Sequence, residues 1–163
     1  MISLRNDRVG AKILREPDYS KPLDNPYFYG APILFPVNRI FGGSFTFENR
    51  KYNFPINEPS TNCHLHGFLH QAEFKTVKFT EKRATLKYIS NYIKDYFGGV
   101  NKFSITITYK LTKNGIKIKT TVENLSNANM PVMLGYHTTF NSRFIKDATD
   151  KVKVGFDSEI ERI

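Results

Sequence analysis

The stretch KFSITITYKLTKNGIKIKTTVEN, residues 102–124, decides the fold class. Apolar residues alternate with Ser, Thr and Lys on both sides of Asn114-Gly115, and a period of two is that of a half-buried β-strand. Asn-Gly pairs readily take the positive φ angles of a type I′ turn, so the stretch predicts an antiparallel hairpin that turns at this pair. One face is expected to be buried and the other, rich in Lys and Thr, to face water.

The same alternation recurs along most of the chain. A second hairpin is predicted over SFTFENRKYNF, residues 44–54, with its turn near Asn49. Further strands are predicted at 9–15, 73–80, 84–90, 131–136 and 151–156, and a short helix at 91–97. The pattern predicts an all-β, antiparallel fold, either a sandwich or a barrel.

The chain has 163 residues, which predicts a single domain over 1–163. Its last segment, DKVKVGFDSEIERI, begins a strand and stops without a closing element, so the domain is expected to be incomplete at the C-terminus. The one Cys cannot form an internal disulfide, no signal peptide is visible, and no apolar run reaches the roughly 18 residues of a membrane span. These features predict a cytoplasmic protein with no membrane partner.

The formal net charge is +9, from 24 Lys and Arg against 15 Asp and Glu. A positive balance favours anionic partners in general. However, the lysines are scattered singly between apolar residues and threonines of predicted strands, which is typical of a solvated sheet face. Nucleic-acid binding normally shows a clustered patch or a motif, so no nucleic-acid partner is expected.

Three of the four histidines and the only Cys lie in TNCHLHGFLH, residues 61–70. On a strand, His64 and His66 would point to the same side, and paired imidazoles can hold a metal with His70 or His137 as a third ligand. A metal-binding jelly roll of the cupin type would need a Glu three or four residues after the second His, where this chain has none. No metal is therefore predicted, and His64 and His70 are expected to be structural.

Three segments together resemble the aldose 1-epimerase (galactose mutarotase) family. They are GAPILFPVNRIFGGSFTFENRKYNFPINEP at 30–59, CHLHGFLH at 63–70 and VENLSNANMPVMLGYHTTF at 122–140, in the order that the family has them. The resemblance covers residues 1–156. It implies an antiparallel β-sandwich of the galactose mutarotase-like type, with the sugar in an open groove, and interconversion of the α and β anomers of free aldoses.

The resemblance also implies roles for individual residues. Asn38 and Arg39 match the family's substrate-binding pair, His66 matches the histidine that contacts the sugar near the reacting end, and His137 matches the general acid. No cofactor and no metal are implied. The family's general base is a Glu far towards the C-terminus of a chain about twice this long, and no acid within 141–163 matches it. Where the family commonly has Pro and Tyr, this chain has Thr138 and Thr139.

Two alternatives stay open. One is a sugar-phosphate 1-epimerase of the same fold, which the positive net charge favours. The other is a non-catalytic carbohydrate-binding module, because the segment that would carry the base is not present in these residues. The expected partner is a small aldose, or a phosphorylated sugar if the protein is a sugar-phosphate 1-epimerase. Whether the protein forms a homo-oligomer is left open.

Overall fold

A computed structural model describes residues 1–90, 101–149, 152, 153 and 155. These residues form two compact units, one made of Met1–Pro32 with Tyr136–Ile163 and the other of Ile33–Gly135. The single domain predicted over 1–163 stays a prediction. No helix in the described part of the chain is long and apolar enough to cross a membrane.

In the first unit, the two separate segments of the chain pair with each other. Strand β1 (Arg5–Asn6) pairs antiparallel with β2 (Ala11–Lys12), and a short 3₁₀ helix covers Pro26–Phe28. Leu14, which is buried, forms an antiparallel bridge with Phe140. The Asn141 amide donates to the carbonyls of Lys12 and Leu14 at 2.9 and 3.0 Å. The strand predicted over 9–15 is therefore present as β2 and this bridge.

The second unit contains most of the regular structure. Its strands are β3 (Ile33–Leu34), β4 (Arg39–Phe41), β5 (Ser44–Phe47), β6 (Arg50–Asn53), β7 (Cys63–Leu65), β8 (Lys75–Thr80), β9 (Arg83–Ile89), β10 (Phe103–Thr112) and β11 (Gly115–Asn124), with a 3₁₀ helix at Pro59–Thr61. A last short strand, β12 (Gly135–Tyr136), stands where the chain passes from this unit back to the first. Strands β8 to β11 form a four-stranded sheet in the order β11-β10-β9-β8, and β4 pairs with β7 and β5 with β6, all antiparallel.

The hairpin predicted from residues 102–124 is confirmed, but its turn lies one residue earlier than expected. Thr112 pairs with Gly115, so the two turn residues are Lys113 and Asn114. Gly115, with a φ of 144°, is already the first residue of β11. The prediction of a type I′ turn on Asn114-Gly115 is wrong because strand pairing continues up to the glycine.

Left-handed turn geometry occurs instead in the second hairpin. Phe47 pairs with Arg50, and the two residues between them, Glu48 and Asn49, have φ angles of 47° and 61°. Positive φ at both central positions is the mark of a type I′ turn. The predicted turn near Asn49 is confirmed, although Glu is an unusual residue at such a position. The Glu48 carboxylate accepts a hydrogen bond from the Asn129 amide at 2.9 Å, which links this turn to a distant loop.

The remaining strand predictions agree with the structure to different degrees. Residues 73–80 and 84–90 correspond to β8 and β9, whereas only Gly135 and Tyr136 of the predicted 131–136 are in a strand. The helix predicted at 91–97 lies outside the described residues, and so does half of the strand predicted at 151–156; its described residues 152, 153 and 155 are not in a strand. The all-β antiparallel class is confirmed.

The base of the β10–β11 hairpin lies in the core, whereas its tip lies in water. Phe103 and Ile105 are fully buried, and the Phe103 ring packs edge-on against Phe35 with ring centroids 5.1 Å apart. Towards the tip the same apolar row becomes exposed, and Leu111 is 48% accessible. The predicted buried face is therefore confirmed for the first half of β10 only.

Among the residues that the structure describes, Tyr52 is the largest fully buried side chain, and its hydroxyl needs a partner there. It donates to the Asn101 side-chain oxygen at 2.7 Å, while its ring stacks on Phe45 with centroids 4.9 Å apart. Burial raises the pKa of the Tyr52 phenol because a buried phenolate would lose its hydration. The hydrogen bond thus joins β6 to the segment that leads into β10.

Replacing Tyr52 with Phe should lower the free energy of unfolding by about 1–2 kcal/mol, because the Asn101 oxygen loses its buried donor. Urea unfolding followed by circular dichroism measures the change. Tyr19→Phe is the matched control, since Tyr19 is 68% exposed and its loss should cost less than about 0.5 kcal/mol. Equal effects of the two substitutions would contradict a structural role for the Tyr52 hydroxyl.

Candidate functional site

Asn38 and Arg39 lie at the entry to β4, directly beside the end of β7. Asn38 is in the left-handed region, with φ 70°, which Asn tolerates better than most residues. Its carbonyl accepts a hydrogen bond from the His66 N–H at 3.1 Å. Arg39 then pairs with Leu65 in the β4–β7 ladder. The structure therefore brings together the Asn-Arg pair and His66, three of the four residues that the sequence pointed to.

The Arg39 guanidinium makes a two-point ion pair with Glu58. Its Nε lies 2.6 Å from Oε2 of the carboxylate and its terminal nitrogen lies 2.8 Å from Oε1. The Thr61 hydroxyl also donates to Glu58. The backbone of Glu58 exchanges two hydrogen bonds with Cys63, at 3.0 and 3.2 Å. Because both the side chain and the backbone of Glu58 are held, the orientation of the guanidinium is fixed as well.

The electrostatics of this pair agree with its geometry. The hydrogen bond from Arg39 and, after it, the one from Thr61 lower the pKa of Glu58 from 4.5 to about 2. The same hydrogen bond raises the pKa of Arg39. The Glu58 carboxylate is thus ionised at every pH at which the protein would work, and it offsets the positive charge of Arg39.

His66 stands in a left-handed turn just beyond β7. The strand ends at Leu65, whose N–H and carbonyl are both bound by the Asn57 side chain at 2.6 and 2.9 Å. His66 follows with a φ of 65°. The expectation that His64 and His66 share one side of a strand is wrong, because the extended conformation ends between them.

Gly67 fixes this turn through a very close backbone approach. Its φ is 62°, and a Cβ at this position would lie 2.0 Å from the carbonyl oxygen of Phe35. Gly67 also forms a parallel bridge with Phe35. Only glycine suits a site that combines positive φ with contact of this kind. The HG pair is therefore a structural unit in which the glycine places the preceding imidazole.

The other two histidines of the segment have different surroundings. His64 is fully buried on β7, its Nδ1 donates to the Pro55 carbonyl at 2.7 Å, and its ring lies 5.0 Å from that of Phe54. Burial lowers the pKa of His64 and of the half-buried His70. Among the residues that the structure describes, no three His, Cys, Asp or Glu side chains are grouped so that they could hold a metal ion.

His137 belongs to the unit formed by Met1–Pro32 and Tyr136–Ile163. Its N–H donates to the Pro32 carbonyl at 3.1 Å, and its half-buried ring has the Tyr27 ring at a centroid distance of 6.0 Å. Thr139, two residues later, donates its N–H to Gly30 at 2.8 Å and its hydroxyl to the Tyr27 carbonyl at 3.2 Å. Thr139 therefore serves to tie the His137 segment to the loop that carries Tyr27.

Sequence reasoning missed Glu58, Asn57 and Tyr27, which support the predicted site residues. Glu58 is the only acid between residues 49 and 72, and this isolation was a usable signal. Asn57 and Tyr27 gave no comparable signal. The Asn57 amide binds the Leu65 backbone as a neighbouring strand would, and the Tyr27 ring lies beside His137, and both contacts exist only in the folded chain.

The fold of the chain is that of galactose mutarotase-like proteins. A galactose mutarotase-like protein from Clostridium acetobutylicum superposes with a TM-score of 0.80 at 32% identity, covering 90% of this chain and 46% of that one. A galactose mutarotase related enzyme from Lactobacillus acidophilus gives 0.66 at 22% identity, over 91% of this chain and 44% of that one. The predicted galactose mutarotase-like sandwich is thus confirmed.

Sequence comparison leads to the same family. The aldose 1-epimerase family model matches residues 1–157, and the chain belongs to this family. A protein of Escherichia coli named YihR is 24% identical over 119 residues, which are 72% of this chain and 38% of YihR. The chain therefore spans less than half the length of the relatives that it matches.

Gly67→Ala should destabilise the second unit by at least about 3 kcal/mol, because strain at positive φ adds to overlap with the Phe35 backbone. Gly42→Ala is the matched control, since Gly42 has a φ of 63° but nothing within 4 Å of an added Cβ. It should cost only about 1–2 kcal/mol. Chemical unfolding of both variants measures the difference, and equal losses would refute the close approach.

The Glu58 carboxylate should titrate with a midpoint of about 2. Since this folded-state pKa lies below 4.5, the ion pair contributes stability above that pH and loses it as the pH falls towards 2. Carbon-13 NMR of the carboxylate follows the titration directly. In Arg39→Gln the midpoint should rise towards its ordinary range, whereas Arg50→Gln, at an exposed position of the same unit, should leave it unchanged. A midpoint near 4.5 in the unaltered protein would rule out the two-point pair.

Proposed function

We propose that the protein acts as an aldose 1-epimerase, which interconverts the α and β anomers of aldohexoses by acid–base opening and reclosure of the ring. The observation that carries this proposal is the junction of β4 and β7. It presents Asn38, a guanidinium held by Glu58, and His66 within one short stretch of hydrogen-bonded backbone, in a chain of the aldose 1-epimerase family.

The reaction needs an acid and a base, and no electrons leave the sugar. A base takes the proton of the C1 hydroxyl while an acid protonates the ring oxygen, and the bond between C1 and the ring oxygen breaks. The free aldehyde rotates, and the ring closes on its other face. Histidine suits such proton transfers because its ordinary pKa of about 6.5 lies near working pH.

In this proposal each site residue has one role. His137 protonates the ring oxygen, and His66 donates a hydrogen bond near that oxygen and stabilises the charge that develops there. Arg39 and Asn38 hold the sugar through its hydroxyls. The family's base is a Glu in the part of the relatives that this chain does not span, and we assign no base among residues 141–163.

The Arg39–Glu58 pair favours an uncharged aldose over a sugar phosphate. Glu58 uses two of the five N–H donors of the guanidinium and offsets its positive charge. The guanidinium then acts mainly as a rigid hydrogen-bond donor, which suits sugar hydroxyls. A phosphate would have to compete with a carboxylate that is already bound at two points.

Polarimetry on freshly dissolved α-galactose and α-glucose tests the proposal, with protein expressed from the complete reading frame. We expect mutarotation above the spontaneous rate, and a loss of about 10²- to 10⁴-fold in kcat for His137→Ala, as for removal of a general acid. His70→Gln is the matched control and should keep most of the activity. A His137→Ala variant with the unaltered rate would overturn the acid assignment.

The same assay separates the alternative functions. Galactose binding without any rate enhancement would identify a carbohydrate-binding module. Faster turnover of glucose 6-phosphate than of glucose would identify a sugar-phosphate 1-epimerase and would contradict the argument from Arg39 and Glu58.

A further inference from the structure

Cationic side chains cover one face of the four-stranded sheet. The strand register places Lys110 directly opposite Lys117 on one side and Arg83 on the other, and Lys75 directly opposite Lys87. Because directly paired residues project from the same face of a sheet, the register defines a basic face. Its cations are Lys75, Lys78, Arg83, Lys87, Lys110, Lys117 and Lys119.

Two acids accompany the seven cations of this face: Glu123 on the face itself and Glu73 just before β8. The Glu123 carboxylate lies 3.8 Å from the Lys87 ammonium. The other six cations are exposed. Like charges directly opposite each other on neighbouring strands destabilise a sheet. An anionic partner would relieve this repulsion, and the arrangement therefore fits a polyanionic surface.

Two exposed aliphatic side chains accompany the cations. Val77, at the bulge between Thr76 and Lys78, is 62% accessible, and Ile89 is 54% accessible. Both line a groove together with Lys75, Lys87, Glu73 and Tyr88. Lysines around exposed aliphatic groups form an amphipathic surface rather than a purely polar one.

The combination of lysines with exposed aliphatic side chains favours an anionic bilayer over a nucleic acid as the partner. Binding to single-stranded nucleic acid relies on aromatic rings for stacking, and the positions that the register assigns to this face carry Lys, Arg, Thr, Ser, Glu, Ile and Gly. The ring of Tyr88, which lines the groove, packs against Phe68 and Phe74. A bilayer surface offers a plane of phosphates to the lysines and an apolar boundary below them to aliphatic groups. We propose that the basic face docks on an anionic lipid bilayer, with the lysines at the headgroups and Val77 and Ile89 at the acyl boundary.

The proposal departs from the expectation of no membrane partner that the sequence suggested. In the sequence the lysines stand singly between other residues, and only the register of β8 to β11 brings them into rows. The proposal does not depend on the sugar chemistry, since none of the candidate site residues lies on this sheet.

Co-sedimentation with lipid vesicles tests the inference. The protein should partition to vesicles of phosphatidylcholine mixed with phosphatidylserine, and much less to phosphatidylcholine alone. Raising the salt concentration should weaken the binding, because exposed charges are screened. No binding to the anionic vesicles at low salt would overturn the proposal.

Variants locate the binding surface. Lys110→Gln, Lys117→Gln and Lys119→Gln combined should lower partitioning by about a hundredfold, at roughly fivefold for each lysine near an anionic surface. Lys12→Gln, Lys21→Gln and Lys146→Gln combined form the control, since they change the net charge equally at positions outside the sheet. An equal loss in both triple variants would show that binding follows net charge alone and would refute the proposal.

Two further measurements separate lipid from other anions. Ile89→Ser should weaken binding to vesicles and leave retention on a phosphocellulose column unchanged, because it removes an aliphatic contact only. Binding to duplex DNA should also be measured, at the same phosphate concentration as in the vesicles. Affinity for DNA equal to or higher than that for the vesicles would assign the face to nucleic acid and would contradict the bilayer proposal.

Discussion

The contact between the backbones of Gly67 and Phe35 is the constraint on which the candidate site depends. It leaves no room for a side chain at Gly67, and it obliges the chain to turn immediately after β7. His66 is thereby placed at the turn, with its N–H on the Asn38 carbonyl. The location of the His66 imidazole is thus determined by Gly67, the residue that follows it.

The ion pair between Arg39 and Glu58 adds orientation to that placement. An exposed arginine ordinarily samples many rotamers, and holding it costs side-chain entropy. Here Arg39 is held by the Glu58 carboxylate, and Glu58 is in turn fixed by Thr61 and by its own backbone hydrogen bonds. The guanidinium is therefore organised before any ligand arrives, as the role proposed for it, binding sugar hydroxyls, requires.

Sequence alone predicted the regular structure better than the turns and the supporting contacts. The alternation in 102–124 determined β10 and β11 because a period of two has few structural interpretations. The turn was misplaced because pairing at Thr112 and Gly115 depends on the register of ten residue pairs, not on a dipeptide. The turn at Glu48 and Asn49 was located by its position between alternating strands, while its left-handed geometry on a Glu had no local signature.

The candidate site shows the same division. Asn38, Arg39 and His66 stand in a recognisable order along the chain, and the structure places them side by side. Glu58 is nineteen residues from Arg39, so their pairing exists only once β4 and β7 have formed. The clustering of cations on one sheet face was hidden for a similar reason, since lysines on different strands become neighbours only through the register.

The strength of the Arg39–Glu58 pair has a consequence for enzymology. Because the carboxylate keeps its charge down to a pH of about 2, the geometry of this part of the candidate site is insensitive to acid over the range in which rates would be measured. The acidic limb of a pH–rate profile would then report the titration of other groups, and a change of Michaelis constant with pH could not be attributed to this pair.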